Sequence, residues 1–336
     1  MLLPLPAGAE TLLILLLALL LDAFLGDWRL LNRYIPRPRA LAARAGDWLD
    51  RRLNRIERSD ATRRLRGLIT VLFLMLAALV VGTAVTVVAR LLPYGWMLEL
   101  LLVLRCVAVR QPWVGMRGVL DALSGPDASL EAGRSALAEI SDRQSWRLDL
   151  HGVVRAAAEA GARDLARRVV APAFWYALLG LPGMLAWTVA DALSAAIGHD
   201  TPRYADFGAA AARTGRIMGW LPARLTGVLL ALSALFVPGA QGLGAVRAML
   251  STAPGHPARD DAWPVAALAG ALDLSLAGPR REGDMVVKEP WLGDGRARAQ
   301  PADLRPALVL YHVTVMLTGL LAGAAGLALL RFGPVW

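Results

Sequence analysis

Residues 67–90 read GLITVLFLMLAALVVGTAVTVVAR, an apolar stretch with no charge before its closing arginine. A helix rises about 1.5 Å per residue and a bilayer's hydrocarbon core is about 30 Å thick, so roughly 20 such residues span it. Working outward, four more runs approach that length, at about 11–26, 169–190, 225–246 and 307–330, and a sixth at about 96–109 is short. The chain of 336 residues is 56% hydrophobic and only 19% charged, with a positive mean hydropathy of +0.48. These figures exclude an ordinary soluble enzyme and predict an all-α polytopic membrane protein. Five or six transmembrane helices with cytoplasmic helical loops are expected, in one integral membrane domain covering 1–336. No strand pattern stands out.

The net charge of +9 does not point to nucleic acid, because the basic residues adjoin the membrane segments and no zinc-finger or aromatic-basic signature accompanies them. Anionic membrane lipid is the better partner. The segment 27–66 carries twelve arginines against five acids, while the residues before the first run carry no positive charge. The positive-inside rule puts 27–66 in the cytoplasm of an inner-membrane protein with an external N-terminus. That first run lacks a leading positive charge and a small-residue cleavage site, so it is read as a retained helix. Leu41, Trp48, Leu49, Leu53 and Ile56 among the arginines suit an amphipathic helix along the membrane, with a plain topology anchor as the simpler account. Cys106 is the only cysteine, which excludes a disulfide framework, and the four histidines show no metal-ligand spacing.

Local signals subdivide the chain. Leu92-Pro93-Tyr94-Gly95 predicts a turn, Gly180-Leu181-Pro182-Gly183 interrupts the fourth run, and Asp149 is placed to cap a helix running toward Glu159. Residues 247–306 balance eight basic with eight acidic side chains and read as a second cytoplasmic region. Strict alternation of the runs would place 191–220 outside; a re-entrant path through Gly180–Gly183 would not.

Five landmarks stand in order: Ala171-Pro172-Ala173-Phe174-Trp175, then Arg203-Tyr204-Ala205-Asp206-Phe207-Gly208, Arg213, Pro222-Ala223-Arg224-Leu225, and His256-Pro257 followed by Trp263-Pro264. In order and spacing the chain resembles the CobD/CbiB family of cobalamin-biosynthesis membrane proteins, the adenosylcobinamide-phosphate synthases. The resemblance covers most of the chain and is densest from Arg134 to Leu225. It implies an amide-forming ligase that joins aminopropanol, usually its phosphate, to a propionate carboxyl of adenosylcobyric acid. A corrinoid substrate follows from it, as do ATP and Mg²⁺ if the family reaction is retained. Carried over residue by residue, it marks Asp22, Asp27 and Glu159 as catalytic candidates and Arg143, Tyr204, Arg213 and His256 as substrate-binding candidates.

The departures from the family pattern share a direction. Where the pattern has Glu-Asn and Asp-Gly, this chain has Arg163-Asp164 and Arg167-Arg168; Gly215, Arg216 and Gly219 also stand at acidic or amide positions. Helix-turning and packing positions are kept, and oxygen ligands give way to arginine, which repels Mg²⁺. The alternative is a non-catalytic membrane protein on the same scaffold, as in the AmpE-type proteins, with a signalling, scaffold or accessory role.

Overall fold

The computed structural model describes residues 8–26, 35–55, 57–141, 144–199, 201–282 and 285–332. Ser59 starts the long helix of the opening stretch, its hydroxyl accepting the Thr62 N–H at 3.4 Å. That helix, α3 (Asp60–Leu91), follows α1 (Ala9–Leu25) and α2 (Pro38–Leu53). The predicted turn forms at 92–95, with Tyr94 at φ 63, and leads into the short α4 (Trp96–Cys106). Then come α5 (Arg110–Ser124), α6 (Leu130–Ala138) and α7 (Leu150–Leu165), the last capped by Asp149, whose Oδ1 accepts the Gly152 N–H at 2.7 Å. A π-helical turn, Ala166–Val170, runs into α8 (Ala171–Ile197), followed by α9 (Ala209–Ser233), α10 (Gly242–Thr252), α11 (Ala262–Ala271) and α12 (Leu304–Phe332).

Among the described residues four helical stretches are long and apolar enough to cross a membrane: Asp60–Leu91, Leu150–Ile197, Ala209–Phe236 and Pro301–Arg331. With them the chain is an all-α polytopic membrane protein. The first predicted run forms α1, whose 17 residues rise about 26 Å. The run at 96–109 forms only the 11-residue α4. Two small ribbons qualify the strand-free expectation: β1 (Leu276–Ala277) pairs antiparallel with β4 (Trp291–Leu292), and β2 (Arg280–Glu282) with β3 (Met285–Val287).

The described residues fall into two compact units. The first comprises the described residues within 1–108, 171–220 and 319–336. In it α2 and α3 pack on α8 around Val71, Leu193, Ile197, Phe207 and Ala211. Gly67 permits a close approach, since a Cβ there would lie 1.9 Å from the Phe207 carbonyl oxygen. On α2 the exposed Leu41 and Trp48 lie opposite the buried Ala42, Gly46 and Asp50, as an amphipathic helix requires; Ile56 lies outside the described residues. The second unit comprises 109–170 and 221–318. Here α5 packs on α6 and α7, and α11 lies between α10 and α7. Tyr311 Oη, in the first half of α12, donates to the Val109 carbonyl at 2.8 Å.

The apolar run read from about 225 belongs to a helix, α9, that already begins at Ala209 and carries Pro222 inside it. A proline removes the N–H that would serve the carbonyl four residues earlier, here that of Met218. The indole of Trp175 fills the gap, Nε1 donating to the Met218 carbonyl at 3.2 Å. Two of the landmarks are therefore one structural device. Trp175→Phe is expected to cost about 1–2 kcal/mol, the penalty for leaving a part-buried carbonyl unserved. In a Pro222→Ala background, where the backbone N–H returns, the same substitution should cost much less. Thermal unfolding of the four proteins in detergent measures this, and additive losses would refute the pairing.

Candidate functional site

In the first unit the landmark Arg203–Gly208 is a loop held by polar and charged side chains from the end of α2 and the start of α3. Arg203 Nη2 donates to Asp50 Oδ2 at 2.6 Å, and Asn54 Nδ2 donates both to Asp50 Oδ1 at 2.8 Å and to the Arg203 carbonyl at 3.0 Å. Arg63, only 5% exposed, donates from Nε to Asn54 Oδ1 at 3.0 Å and from Nη2 to the Arg203 carbonyl at 2.5 Å. Arg63 also lies 3.7 Å from Asp206, whose other oxygen pairs with Arg64 at 2.7 Å. The hydrogen bond to Asp50, and then that carboxylate's charge, push Arg203 above the ordinary guanidinium pKa range.

The loop 201–208 touches the end of α2 and the start of α3, a contact that fits a re-entrant path better than strict alternation for 191–220. Gly180 offers the break for such a path, with φ 65 and ψ −158 inside α8, two residues before Pro182. Asn54 and Arg63 were not read as functional from the sequence. The available signal was Asp50 and Asn54, four residues apart at the end of α2, in line with Ala42 and Gly46.

Tyr204 is half-buried against the same core, with the Arg203 guanidinium 5.5 Å from its ring centroid and the His199 ring at 6.3 Å. Arg213 is exposed on α9. Asp22, only 4% exposed, lies in the last turn of α1, where its carbonyl accepts the Gly26 N–H at 2.9 Å. Asp27 and Arg143 lie outside the described residues. Asp191, buried at the family's asparagine position, pairs with Arg39.

In the second unit a polar stripe on α7, spaced four residues apart, holds the segment 277–299. His151 Nδ1 lies 2.8 Å from the Ala299 carbonyl, Arg155 Nη1 donates to the Ala297 carbonyl at 2.5 Å, and Glu159 Oε1 accepts the Ala277 N–H at 2.8 Å. His256 grips the facing strand's approach: its Nε2 bonds the Pro290 carbonyl at 3.0 Å while Nδ1 accepts the Ala258 N–H at 3.1 Å. Both ring nitrogens of His256 are thus used within the fold. Ala277 pairs with Trp291, so Glu159 and His256 meet the two sides of one ribbon. Glu159→Ala, which leaves the Ala277 N–H unserved, is expected to cost about 1–3 kcal/mol. Hydrogen exchange at Ala277 should accelerate with it, whereas unchanged protection would mean that the ribbon is held without Glu159.

The π-turn after α7 places a second feature, which the family comparison of single residues obscured. Arg167 makes a bidentate pair with Asp261, Nε to Oδ1 at 2.8 Å and Nη2 to Oδ2 at 2.9 Å. Arg168 pairs with Asp164 at 3.2 Å, and Arg224 with Asp260 at 3.1 Å, the Arg224 guanidinium lying 4.2 Å from the Trp263 ring centroid. Three guanidiniums are thus each paired with a carboxylate, every side chain between about a sixth and a third exposed. A π-turn commonly marks a functional position because it re-aims the side chains it carries. His256 and the turn that follows it position Asp260 and Asp261.

Comparison with known proteins agrees with these landmarks. The family model described as CobD/Cbib protein matches residues 15–311. The chain is 37% identical over 321 residues to the cobalamin biosynthesis protein CobD of Brucella suis biovar 1 (strain 1330), covering 94% of this chain and 97% of that protein. It is 37% identical over 332 residues to the protein of the same name from Rhizobium meliloti (strain 1021), covering 97% and 100%. A third, from Sinorhizobium sp, is 38% identical over 304 residues, covering 90% and 94%. No solved structure matches the chain. The AmpE-type alternative receives no support from these comparisons.

Proposed function

We propose a function from one premise: the chain belongs to the CobD/CbiB family. It works in cobalamin biosynthesis, joining an aminopropanol, as its phosphate, to a propionate carboxyl of adenosylcobyric acid. The observation that carries this reading is coverage, since relatives named for cobalamin biosynthesis align along nearly the whole chain. The protein sits in the inner membrane, with the arginine-rich segment and the 201–208 loop facing the cytoplasm by the positive-inside rule. Anionic lipid bears on the arginine-rich segment.

ATP, when bound, supplies the activation of the carboxyl. A Mg²⁺ ion would neutralise its phosphates through oxygen ligands, but the described acids do not fit that task. Among the described residues no three His, Cys, Asp or Glu side chains gather as metal ligands, and Asp164, Asp260 and Asp261 each face an arginine. The guanidiniums suit phosphate directly, because the planar fork of arginine binds its oxygens in pairs. In this reading the substrate's phosphate displaces Asp261 from Arg167, with Arg168 and Arg224 sharing the charge. The released carboxylate then accepts the proton that the ammonium must lose before nitrogen attacks. Glu159 and His256 position the ribbon and the acidic turn, and the family resemblance also marks Asp22, Asp27, Arg143, Tyr204 and Arg213.

Membranes containing the protein, incubated with adenosylcobyric acid, Mg-ATP and aminopropanol phosphate, should yield the amidated corrinoid. Failure to form product together with failure to bind the corrinoid would overturn the reading.

A further inference from the structure

About 27 residues along α3 from Arg63, hence about 40 Å away, the first unit contains a second polar site. It is a cavity of about 770 Å³ on the opposite membrane face, where α1 begins and α3 ends. Its walls include Glu10, Thr86, Arg90, Trp96, Glu99 and Gly180. Glu99 is fixed by Tyr176, whose Oη donates to Oε1 at 2.8 Å. Thr86 Oγ1 and Trp96 Nε1 are buried with no hydrogen-bond partner among the described residues.

A buried polar atom without a partner is costly, and more so within a membrane, so two in one wall mark a place where something binds. The helix break adds to them. Gly180 leaves the helical conformation, and Pro182 lacks the N–H that would serve the Leu178 carbonyl. Non-helical backbone at membrane depth is tolerated where it lines a cavity, and transporters use such breaks to offer carbonyls to a cation. The wall is therefore rich in acceptors, the carboxylates of Glu10 and Glu99 and the hydroxyls of Thr11, Thr83 and Thr86, against the single guanidinium of Arg90. Its volume far exceeds a dehydrated metal ion, so the acceptors suit an organic cation that carries N–H donors.

We infer that this cavity binds a primary ammonium group, held by Glu99 and Glu10, with Trp96 and Arg90 meeting an oxygen substituent on the same ligand. The inference is independent of the reaction proposed above, which uses the opposite face. Two sources share the chemistry, the headgroup of an ethanolamine phospholipid and a free amino alcohol. A choline headgroup carries the same charge without N–H donors and is excluded.

The test uses the full chain. Wild type and Glu99→Gln are placed in nanodiscs of phosphatidylcholine, alone or with phosphatidylethanolamine, and each is titrated with free ethanolamine or choline while unfolding and heat are followed. Stabilisation of wild type by phosphatidylethanolamine, absent in Glu99→Gln, establishes the lipid source. Binding of free ethanolamine in phosphatidylcholine discs, weakened at least tenfold by Glu99→Gln, establishes the free amine. If ethanolamine in either form behaves as choline does, or if Glu99→Gln binds as wild type, the inference fails. Should Glu99→Gln not fold, Glu10→Gln in the exposed first turn of α1 serves in its place and is read the same way.

Discussion

Arg63→Met is expected to destabilise the first unit by about 3 kcal/mol and to free the loop 201–208. The guanidinium is buried and serves Asn54, the carbonyls of Pro202 and Arg203, and Asp206. Methionine fills similar space but returns none of those hydrogen bonds. Removing one partner of a buried charged network commonly costs about 3–5 kcal/mol, and the lower end applies because Arg64 and Arg203 still face the two aspartates. Arg64→Met is the matched control. Its side chain is 68% exposed, so its pair with Asp206 should contribute less than about 1 kcal/mol. Thermal unfolding in detergent separates the two, and faster hydrogen exchange in 201–208 should accompany only the first. Equal melting of the two variants would remove the clamp from the account. Because Tyr204 lies in that loop and Arg213 follows it, product formation should fall with Arg63→Met and survive Arg64→Met.

The same contrast shows what could be read before the fold was seen. An apolar run of 24 residues has one physical outcome in a bilayer, so α3 was legible from residues 67–90 alone. The turn at Leu92–Gly95, the cap at Asp149 and the break at Gly180 were legible for a similar reason, because proline, glycine and aspartate act through local geometry. Features that depend on distant partners were not. Pro222 leaves the Met218 carbonyl of α9 without its backbone N–H, and the indole that serves it, Trp175, lies 43 positions before Met218 on α8. The β1–β4 ribbon escaped because strands of two residues carry no alternation to detect. The candidate site was legible as landmarks and illegible as chemistry. Read singly, Arg167 and Arg168 looked like losses of metal ligands, yet each faces an aspartate that the chain also supplies, at 261 and 164. Asp164 was noted as a replacement for asparagine, but nothing in its spacing to Asp260 and Asp261 revealed that the π-turn and the turn after His256 would bring them into one cluster.

Arg167→Ala and Asp261→Asn should separate the two halves of that cluster's work. If the substrate's phosphate takes the place of Asp261 on Arg167, losing the guanidinium weakens binding, and KM for aminopropanol phosphate should rise at least tenfold with a smaller change in kcat. Losing the carboxylate acts the other way. Asparagine holds Arg167 less tightly than aspartate does, so phosphate binding should be kept or strengthened. The proton acceptor is gone, and kcat should fall by about 100-fold, the low end of the usual contribution of general base catalysis. A clamp that merely joins the π-turn to the acidic turn makes a different prediction. The bidentate pair is then a structural tie, either substitution breaks it, and both variants should lose stability and activity together. Initial rates against aminopropanol phosphate, alongside melting of each variant, decide the matter. Parallel falls in kcat and melting temperature would reduce the cluster to a clamp. Opposite movements of KM would identify arginine as the group that receives phosphate where the family pattern carries acids.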